Sequence, residues 1–209
     1  MGTAVKRFTA FDRVESGKVI EFDIDRYGPG VNELLGSEPL CAIGPGSPHP
    51  SMQAALGALT PENVVVPNGL VDRDMAACCV SALWILYDFL DTAHTISQGI
   101  STTSGSFWHG IMHRREPDFP NAKYWFRRVG DHEVFPALCK GARQIAAAEE
   151  HDAKAEFLID QADWDPYRFI DLCEASSRSQ SSSEMLCRKI AQLEWRLLFD
   201  FCYQRAIGK

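Results

Sequence analysis

Two histidines four residues apart, His109 and His113, have the spacing in this sequence that best suits shared chemistry. Side chains four positions apart on a helix lie on one face, about one turn from each other. Glu116 extends that face by three residues, so imidazole and carboxylate groups are available together for proton transfer. We predict that His109, His113 and Glu116 are catalytic residues.

The same two imidazoles are also spaced to share one metal ion. They do not form the HExxH motif of zinc proteases, because residues 110–112 between them provide no general base. The preceding helix could supply further ligands, since Asp91 and His94 are three positions apart there and helical bundles build metal sites from facing side chains. The predicted cofactor is a divalent metal ion held by His109, His113, His94 and Asp91. The alternative is that both histidines are core residues bonded to backbone carbonyls or carboxylates.

Two pairs of arginines lie close to large aromatic rings in the same region. On a helical wheel Arg115 falls on the apolar side of its helix, where an unpaired charge would be costly. Its partner could be a carboxylate of the protein, in an internal ion network, or an anionic ligand that fits the planar guanidinium group. Arg127 and Arg128 repeat the combination, which favours an anion-binding pocket. The predicted ligand-binding residues are Arg114, Arg115, Trp108, Tyr124, Arg127 and Arg128.

These candidates all lie in or near residues 107–132, which hold three of the six histidines and four arginines in a chain of net charge −7. The stretch WHGIMHRREPD…NAKYWFRRVGDH resembles a motif shared by a family of uncharacterised proteins known mainly from genome sequences. The match covers about 26 of the 209 residues. The resemblance implies that the site lies in this segment, and it implies no activity.

The composition is typical of a soluble globular protein with one domain, at 209 residues, 45% apolar and 23% charged. The acidic balance argues against nucleic-acid binding, which needs a broad cationic surface. The N-terminus lacks the apolar stretch of a signal peptide, and the most apolar run, residues 75–87, is too short to span a bilayer. Seven cysteines without CxxC spacing indicate a reducing compartment. We therefore expect a cytoplasmic protein with neither a membrane nor a nucleic-acid partner.

The predicted fold is an all-α, single-domain bundle of five to six helices over residues 72–206. Residues 1–70 are rich in proline and glycine, which favours an irregular wrapping segment. At most two short strands are expected there, at residues 19–24 and 64–66. The predicted helices cover residues 74–97, 103–115, 121–129 with Asn121 as cap, 133–151, 165 onward with Asp165 as cap, and 181–205, which a Ser181/Glu184 capping box opens.

Two classes of function are consistent with these residues. The first is a small-molecule enzyme that acts on an anionic substrate through histidine, arginine and glutamate, by acid–base catalysis or metal-assisted hydrolysis. The alternative is a non-catalytic binding module for an anionic ligand or a partner peptide. A serine nucleophile is disfavoured because the GxSxG motif is absent. In both classes we expect His109, His113, Arg114 and Arg115 to line one concave site with a carboxylate from residues 88–94.

Overall fold

Helices provide all the regular secondary structure in the described part of the chain, residues 22–178 and 182–209 of the computed structural model. The all-α prediction is confirmed. The ten α-helices of these residues are α1 (Pro29–Leu35), α2 (Gln53–Gly57), α3 (Arg73–Leu86), α4 (Leu90–Gln98), α5 (Thr103–Arg115), α6 (Phe119–Val129), α7 (Phe135–Ala148), α8 (Phe157–Asp160), α9 (Pro166–Arg178) and α10 (Glu184–Ala206). The predicted number of five to six is not confirmed. The additional helices are the short α1, α2 and α8, and the helix predicted for residues 74–97 is divided into α3 and α4.

The two predicted strands are not confirmed, and the described residues contain no strand. Residues 64–66 form turns, with Val64 and Val65 buried in the core. Residues 19–21 lie outside the described residues, and Ile24 begins a 3₁₀ turn, Ile24–Arg26. A short apolar run is compatible with a strand or with any other buried segment, so its pattern alone does not decide between them.

The predicted central helix over residues 74–97 is wrong at Asp88. This residue has a φ of 65°, in the left-handed region, and it separates α3 from α4. Aspartate is among the few residues other than glycine that adopt this conformation readily. Apolar residues continue on both sides of the break, at residues 83–87 and 89–90, so helical periodicity does not reveal it. The consequence is that His94 belongs to a separate helix, α4, which packs against α3.

Capping residues fix the beginnings of the helices around the candidate site. The prediction for α5 is confirmed at both ends, and the Thr102 hydroxyl accepts a hydrogen bond from the amide of Gly105 at 3.0 Å. In α6 the cap is Asp118 rather than the predicted Asn121. The backbone N–H of Asn121 donates to the Asp118 carboxylate at 3.3 Å. Asp165 caps α9 as predicted. The predicted cap of α10, Ser181, lies outside the described residues.

Helix α5 lies at the centre of the packing. It contacts α3, α4 and α6, while α10 packs against α3, α7 and α9. All but the first residue of α5 are buried, including its two histidines and two arginines. Because α5 is buried, its polar side chains must find partners inside the protein.

In the described part of the chain, no helix combines the length and the apolar character that a membrane crossing needs.

Arg114 finds its partner on α10. Its guanidinium group forms a bidentate pair with the carboxylate of Glu194, in which the longer contact, from Nη1 to Oε1, is 3.2 Å. The side chains of both residues are at most 2% exposed. The guanidinium carbon also lies 4.8 Å from the ring centre of Phe169 on α9. One ion pair thus ties α5, α9 and α10 together.

Replacing Arg114 with leucine is expected to lower the free energy of unfolding by about 3–5 kcal/mol, because Glu194 would keep its charge in a dry environment. The double variant Arg114→Leu/Glu194→Leu should recover most of that loss, since no charge is left unpaired. Urea titration followed by circular dichroism measures both effects. The matched control is Arg205→Leu, which breaks an exposed pair with Glu133 and should cost at most about 1 kcal/mol. Equal costs for the two single variants would contradict the prediction.

His132 is a second polar side chain in the core, at 5% exposure. Its Nε2 lies 3.0 Å from the hydroxyl of Ser104, and its Nδ1 accepts a hydrogen bond from the amide of Val134 at 3.3 Å. Burial lowers the pKa of His132 to about 4, against an opposing effect of the Glu133 and Asp131 charges. The imidazole is therefore neutral in the folded protein at neutral pH.

This lowered pKa makes the protein less stable in acid. An unfolded histidine takes up a proton near pH 6.5. The free energy of unfolding therefore falls as the pH drops from about 6.5 towards 4, and His132 has no effect on it above about pH 6.5. Between about pH 7.5 and pH 5, His132→Gln should lose about 2 kcal/mol less of its unfolding free energy than the wild type. Urea titrations at the two pH values provide the measurement. The same pH dependence in both proteins would rule out this role for His132.

Candidate metal centre

Three histidines converge where α4 packs against α5. His94 comes from α4, and His109 and His113 come from successive turns of α5. One ligand nitrogen from each lies within 4.8 Å of the others, and the Nε2 atoms of His109 and His113 are 3.0 Å apart. Nitrogens bound to one tetrahedral zinc ion at about 2.0–2.1 Å are about 3.3 Å apart. The His109–His113 pair is therefore close to this spacing, and a ligand nitrogen of His94 lies within 4.8 Å of it.

Three further polar side chains contact the two imidazoles of α5. The hydroxyl oxygen of Ser97, on α4, is 3.1 Å from Nδ1 of His109. The amide nitrogen of Asn121, on α6, is 3.0 Å from Nε2 of His113. On the other side of that ring, Oε2 of Glu116 is 3.2 Å from Nδ1. Each ring nitrogen of His109 and His113 thus has a polar neighbour.

Helix α6 covers one side of the cluster with an aromatic ring. The ring centres of Trp125 and His109 are 3.9 Å apart, with an angle of 33° between the planes. The guanidinium carbon of Arg128 lies 4.9 Å from the Trp125 ring centre. Gly110 permits the close approach of α6, because a Cβ atom there would lie 2.8 Å from the ring of Phe126. Solvent is therefore excluded from this side.

The surroundings favour neutral imidazoles. The pKa of His109 is lowered to about 3, mainly by burial and to a smaller extent by electrostatic repulsion from His113, His94 and Arg128. The pKa of His113 is also lowered, first by burial and then by His94. Burial raises the pKa of Glu116. Metal ions bind the neutral form of histidine, so this environment suits ligation.

The cluster opens to solvent on the side of His94 and Glu116. Their side chains are 34% and 27% exposed, whereas that of His113 is 5% exposed. Glu116 also lines a surface cavity of about 680 Å³, a size that small-molecule sites commonly have. The acidic residues that line this cavity are Asp88, Asp91, Glu116 and Asp118. None of the three histidines lines this cavity, and Glu116 is the cavity residue that also contacts His94 and His113.

Of the four predicted metal ligands, the structure brings together the three histidines. Asp91 is exposed on the cavity wall and is not part of the histidine group. Its charge acts on the site indirectly, because it raises the pKa of Glu116. Glu116 lies beside His113, and its Oε1 is 3.9 Å from Nδ1 of His94. The predicted catalytic residues His109, His113 and Glu116 are therefore neighbours.

The two arginines of α5 have partners within the protein. Arg115 donates to the carbonyl oxygen of Gly44 at 2.6 Å and pairs with Asp88, the acid expected from the preceding helix. Arg114 does not join this site, because it pairs with Glu194 instead. These contacts correspond to the internal ion network, the structural alternative for the arginines. Their binding of an anionic ligand stays a prediction that would require these pairs to open.

The other predicted ligand-binding residues lie in two different environments. Trp108 is fully buried, with its ring centre 6.1 Å from that of Trp195, so it is a core residue rather than part of the cavity wall. Tyr124 is 45% exposed on α6, and the guanidinium carbon of Arg127 lies 5.7 Å from its ring centre. Arg128 reaches the hydroxyl of Tyr124 at 3.5 Å. Trp125 contacts both this cationic and aromatic surface and the ring of His109.

Three contacts of the cluster were not predicted, those of Ser97, Asn121 and Trp125. Ser97 follows His94 by three residues and so shares its helix face, a signal present in the sequence. The prediction of Asn121 as a helix cap assigns its side chain to a backbone amide rather than to an imidazole. Trp125 carries no titratable group, so neither the histidine nor the arginine spacing assigns it a role. The first of these could have been found by extending the spacing argument to hydroxyl groups.

No family model, no curated protein and no solved structure matches this chain. The resemblance of residues 108–132 to a family motif therefore stays a prediction.

One wall of the cavity is held by the Asp88 carboxylate. It accepts a hydrogen bond from the amide of Ser47 at 2.9 Å and pairs with Arg115. Gly46 packs directly against it, with a φ of 67°, and a Cβ atom at this position would overlap the carboxylate. Because two bonds fix the carboxylate, it cannot move aside freely.

Gly46→Ala is therefore expected to destabilise the protein by about 1–3 kcal/mol, through the left-handed conformation and the displaced carboxylate. Gly44→Ala is the matched control, since a Cβ atom there meets no neighbour within 4 Å. Thermal unfolding of the two variants and the wild type measures the difference. A Gly46→Ala protein as stable as the control would show that the loop does not depend on the Asp88 contact.

Proposed function

We propose that this protein is a metal-dependent enzyme that hydrolyses a small molecule, with one divalent transition-metal ion held by His94, His109 and His113. The single observation that supports this most is the convergence of three histidine nitrogens within 4.8 Å. Two of the rings are buried and the third is half-exposed, so the ion would be held from inside the protein and reached from outside.

The ligand set favours particular metals. Three imidazole nitrogens suit zinc and other late transition metals, whereas magnesium and calcium prefer oxygen ligands. Zinc sites with three protein ligands and an accessible fourth position are typical of catalysis, while structural sites have four protein ligands. Three histidines with an exposed side therefore fit a catalytic zinc centre better than a structural one.

The chemistry follows from such a centre. A zinc ion held by three histidines makes a bound water more acidic and polarises a carbonyl or phosphoryl oxygen. Glu116 offers a carboxylate at the exposed edge of the cluster, where it can accept a proton from the attacking water. The raised pKa of Glu116 brings this carboxylate closer to the range of a useful acid or base.

The charge around the cavity bears on the substrate. Four carboxylates line the cavity, and one of them, that of Asp88, is paired with Arg115. An anionic substrate would meet net repulsion there, because like charges raise the free energy of binding. We therefore propose a neutral or cationic substrate in place of the anionic one that the sequence suggested.

A second candidate function, non-catalytic binding of an anionic partner, is favoured by the outer surface of α6. Arg127 and Arg128 are exposed there, stack on Tyr124 and Trp125, and form no ion pair with another residue of the described ranges. Guanidinium groups held on aromatic rings are common at binding surfaces. This surface is separate from the cavity, so the two functions can be tested separately.

Zinc binding tests the proposed function. Protein purified without a histidine tag, stripped with a chelator and titrated with zinc in a calorimeter should bind about one ion per chain. His113→Gln should weaken binding at least about 100-fold, because it removes a ligand. His151→Gln is the matched control, since His151 contacts Glu149 and Glu156 and lies outside the cluster.

The same samples test hydrolysis. The zinc-loaded wild type should hydrolyse the neutral ester 4-nitrophenyl acetate faster than 4-nitrophenyl phosphate, and both the chelator and His113→Gln should abolish the activity. No zinc binding by the wild type would contradict the metal centre. Zinc binding without turnover of either ester above free zinc would contradict the hydrolytic role.

A further inference from the structure

We infer that Ser97 is a positioning residue whose hydroxyl group lets His109 change its tautomer when the metal ion binds. This inference rests on the proposed metal centre. The hydroxyl group lies between two of the proposed ligands: it is 3.1 Å from Nδ1 of His109 and 3.3 Å from the backbone carbonyl of His94. A serine hydroxyl has one proton and two lone pairs, so it can donate to one neighbour while it accepts from the other.

Without a metal ion, the contacts assign the proton of each ring. An amide nitrogen only donates, so the contact of Asn121 identifies Nε2 of His113 as an acceptor. Nε2 of His109 lies 3.0 Å from that acceptor and must carry the proton between them. A neutral imidazole has one N–H, and Nδ1 of His109 is therefore the acceptor for the Ser97 hydroxyl. In this arrangement the single lone pair on Nε2 of His113 is shared between the Asn121 amide and Nε2–H of His109.

A bound ion requires a different arrangement. An ion held by the two adjacent Nε2 atoms would need the lone pair of each, so the proton of His109 would have to move to Nδ1. Nδ1–H becomes a donor, and the Ser97 oxygen accepts its hydrogen bond. The hydroxyl proton then points to the carbonyl of His94, which is within reach at 3.3 Å. The lone pair on Nε2 of His113 would bind the ion and would no longer accept from the half-buried side-chain amide of Asn121.

Burial makes Ser97 necessary for this change. Its side chain is fully buried, and His109 is 1% exposed, so water cannot replace the hydroxyl group. Metal-bound histidines almost always donate their second N–H to a partner, and loss of that partner typically weakens metal binding about 10- to 100-fold. Ser97 is the side chain within hydrogen-bond distance of Nδ1 of His109 among the contacts of the described residues. It acts on the metal through His109 and does not touch it.

The test combines nuclear magnetic resonance with zinc titration. In long-range ¹H–¹⁵N spectra, His109 of the metal-free wild type should show the Nε2–H tautomer, and addition of zinc should convert it to Nδ1–H. Ser97→Ala should bind zinc about 10- to 100-fold more weakly. The matched control is Ser81→Ala, the same substitution at a buried serine that donates to the carbonyl of Ala93 on α4 at 3.1 Å, and its zinc affinity should equal that of the wild type.

The outcomes separate the inference from the proposed function. If the wild type binds no zinc, the metal centre fails, and a metal-free His109 in the Nδ1–H form would overturn the assigned tautomer independently. If the wild type binds zinc and Ser97→Ala binds it equally well, the positioning role of Ser97 is overturned while the metal centre stands. A conversion from Nε2–H to Nδ1–H, with weaker binding by Ser97→Ala alone, supports the inference.

Discussion

The contact between Arg115 and Asp88 is the interaction on which the geometry of the site depends. Asp88 interrupts what would otherwise be one long apolar helix, and the two helices on either side supply the core and His94 respectively. Arg115, at the end of α5, pairs with Asp88 and also donates to the carbonyl of Ile85 at 3.4 Å. One guanidinium group thus holds the end of α3 and the start of α4 against α5. This arrangement places His94 beside the two histidines of α5.

The neighbouring arginine has a different consequence. Arg114 and Glu194 neutralise each other in the core, and a buried pair of this kind costs stability when it is broken rather than adding much when it is formed. With both arginines of α5 occupied, the charged residues that line the cavity are all carboxylates. The electrostatic character of the site is therefore set by internal pairing, and it is opposite in sign to what the arginine-rich sequence suggests.

Features that depend on residues close together in the sequence could be predicted, whereas those that depend on distant residues could not. Helical spacing alone identified α5 with both its ends, and it put His109, His113 and Glu116 on one face, because these relations span only a few residues. The left-handed Asp88 pairs with Arg115, 27 positions away, and the partner of Arg114 is 80 positions away on α10. Such contacts leave no periodic pattern, so the helix break and the fate of the arginines could not be predicted. The role of His94 lies between these cases, since its three-residue spacing was visible and its orientation was not.

The most direct measurement of the central claim is the zinc K-edge X-ray absorption spectrum of the zinc-loaded protein. The account predicts nitrogen or oxygen scatterers at about 2.0–2.1 Å, with the outer-shell signature of three imidazole rings and no sulfur. All seven cysteines are buried free thiols outside the histidine cluster, so they should not contribute. Sulfur scatterers at about 2.3 Å, or the signature of fewer than three imidazoles, would contradict the three-histidine centre.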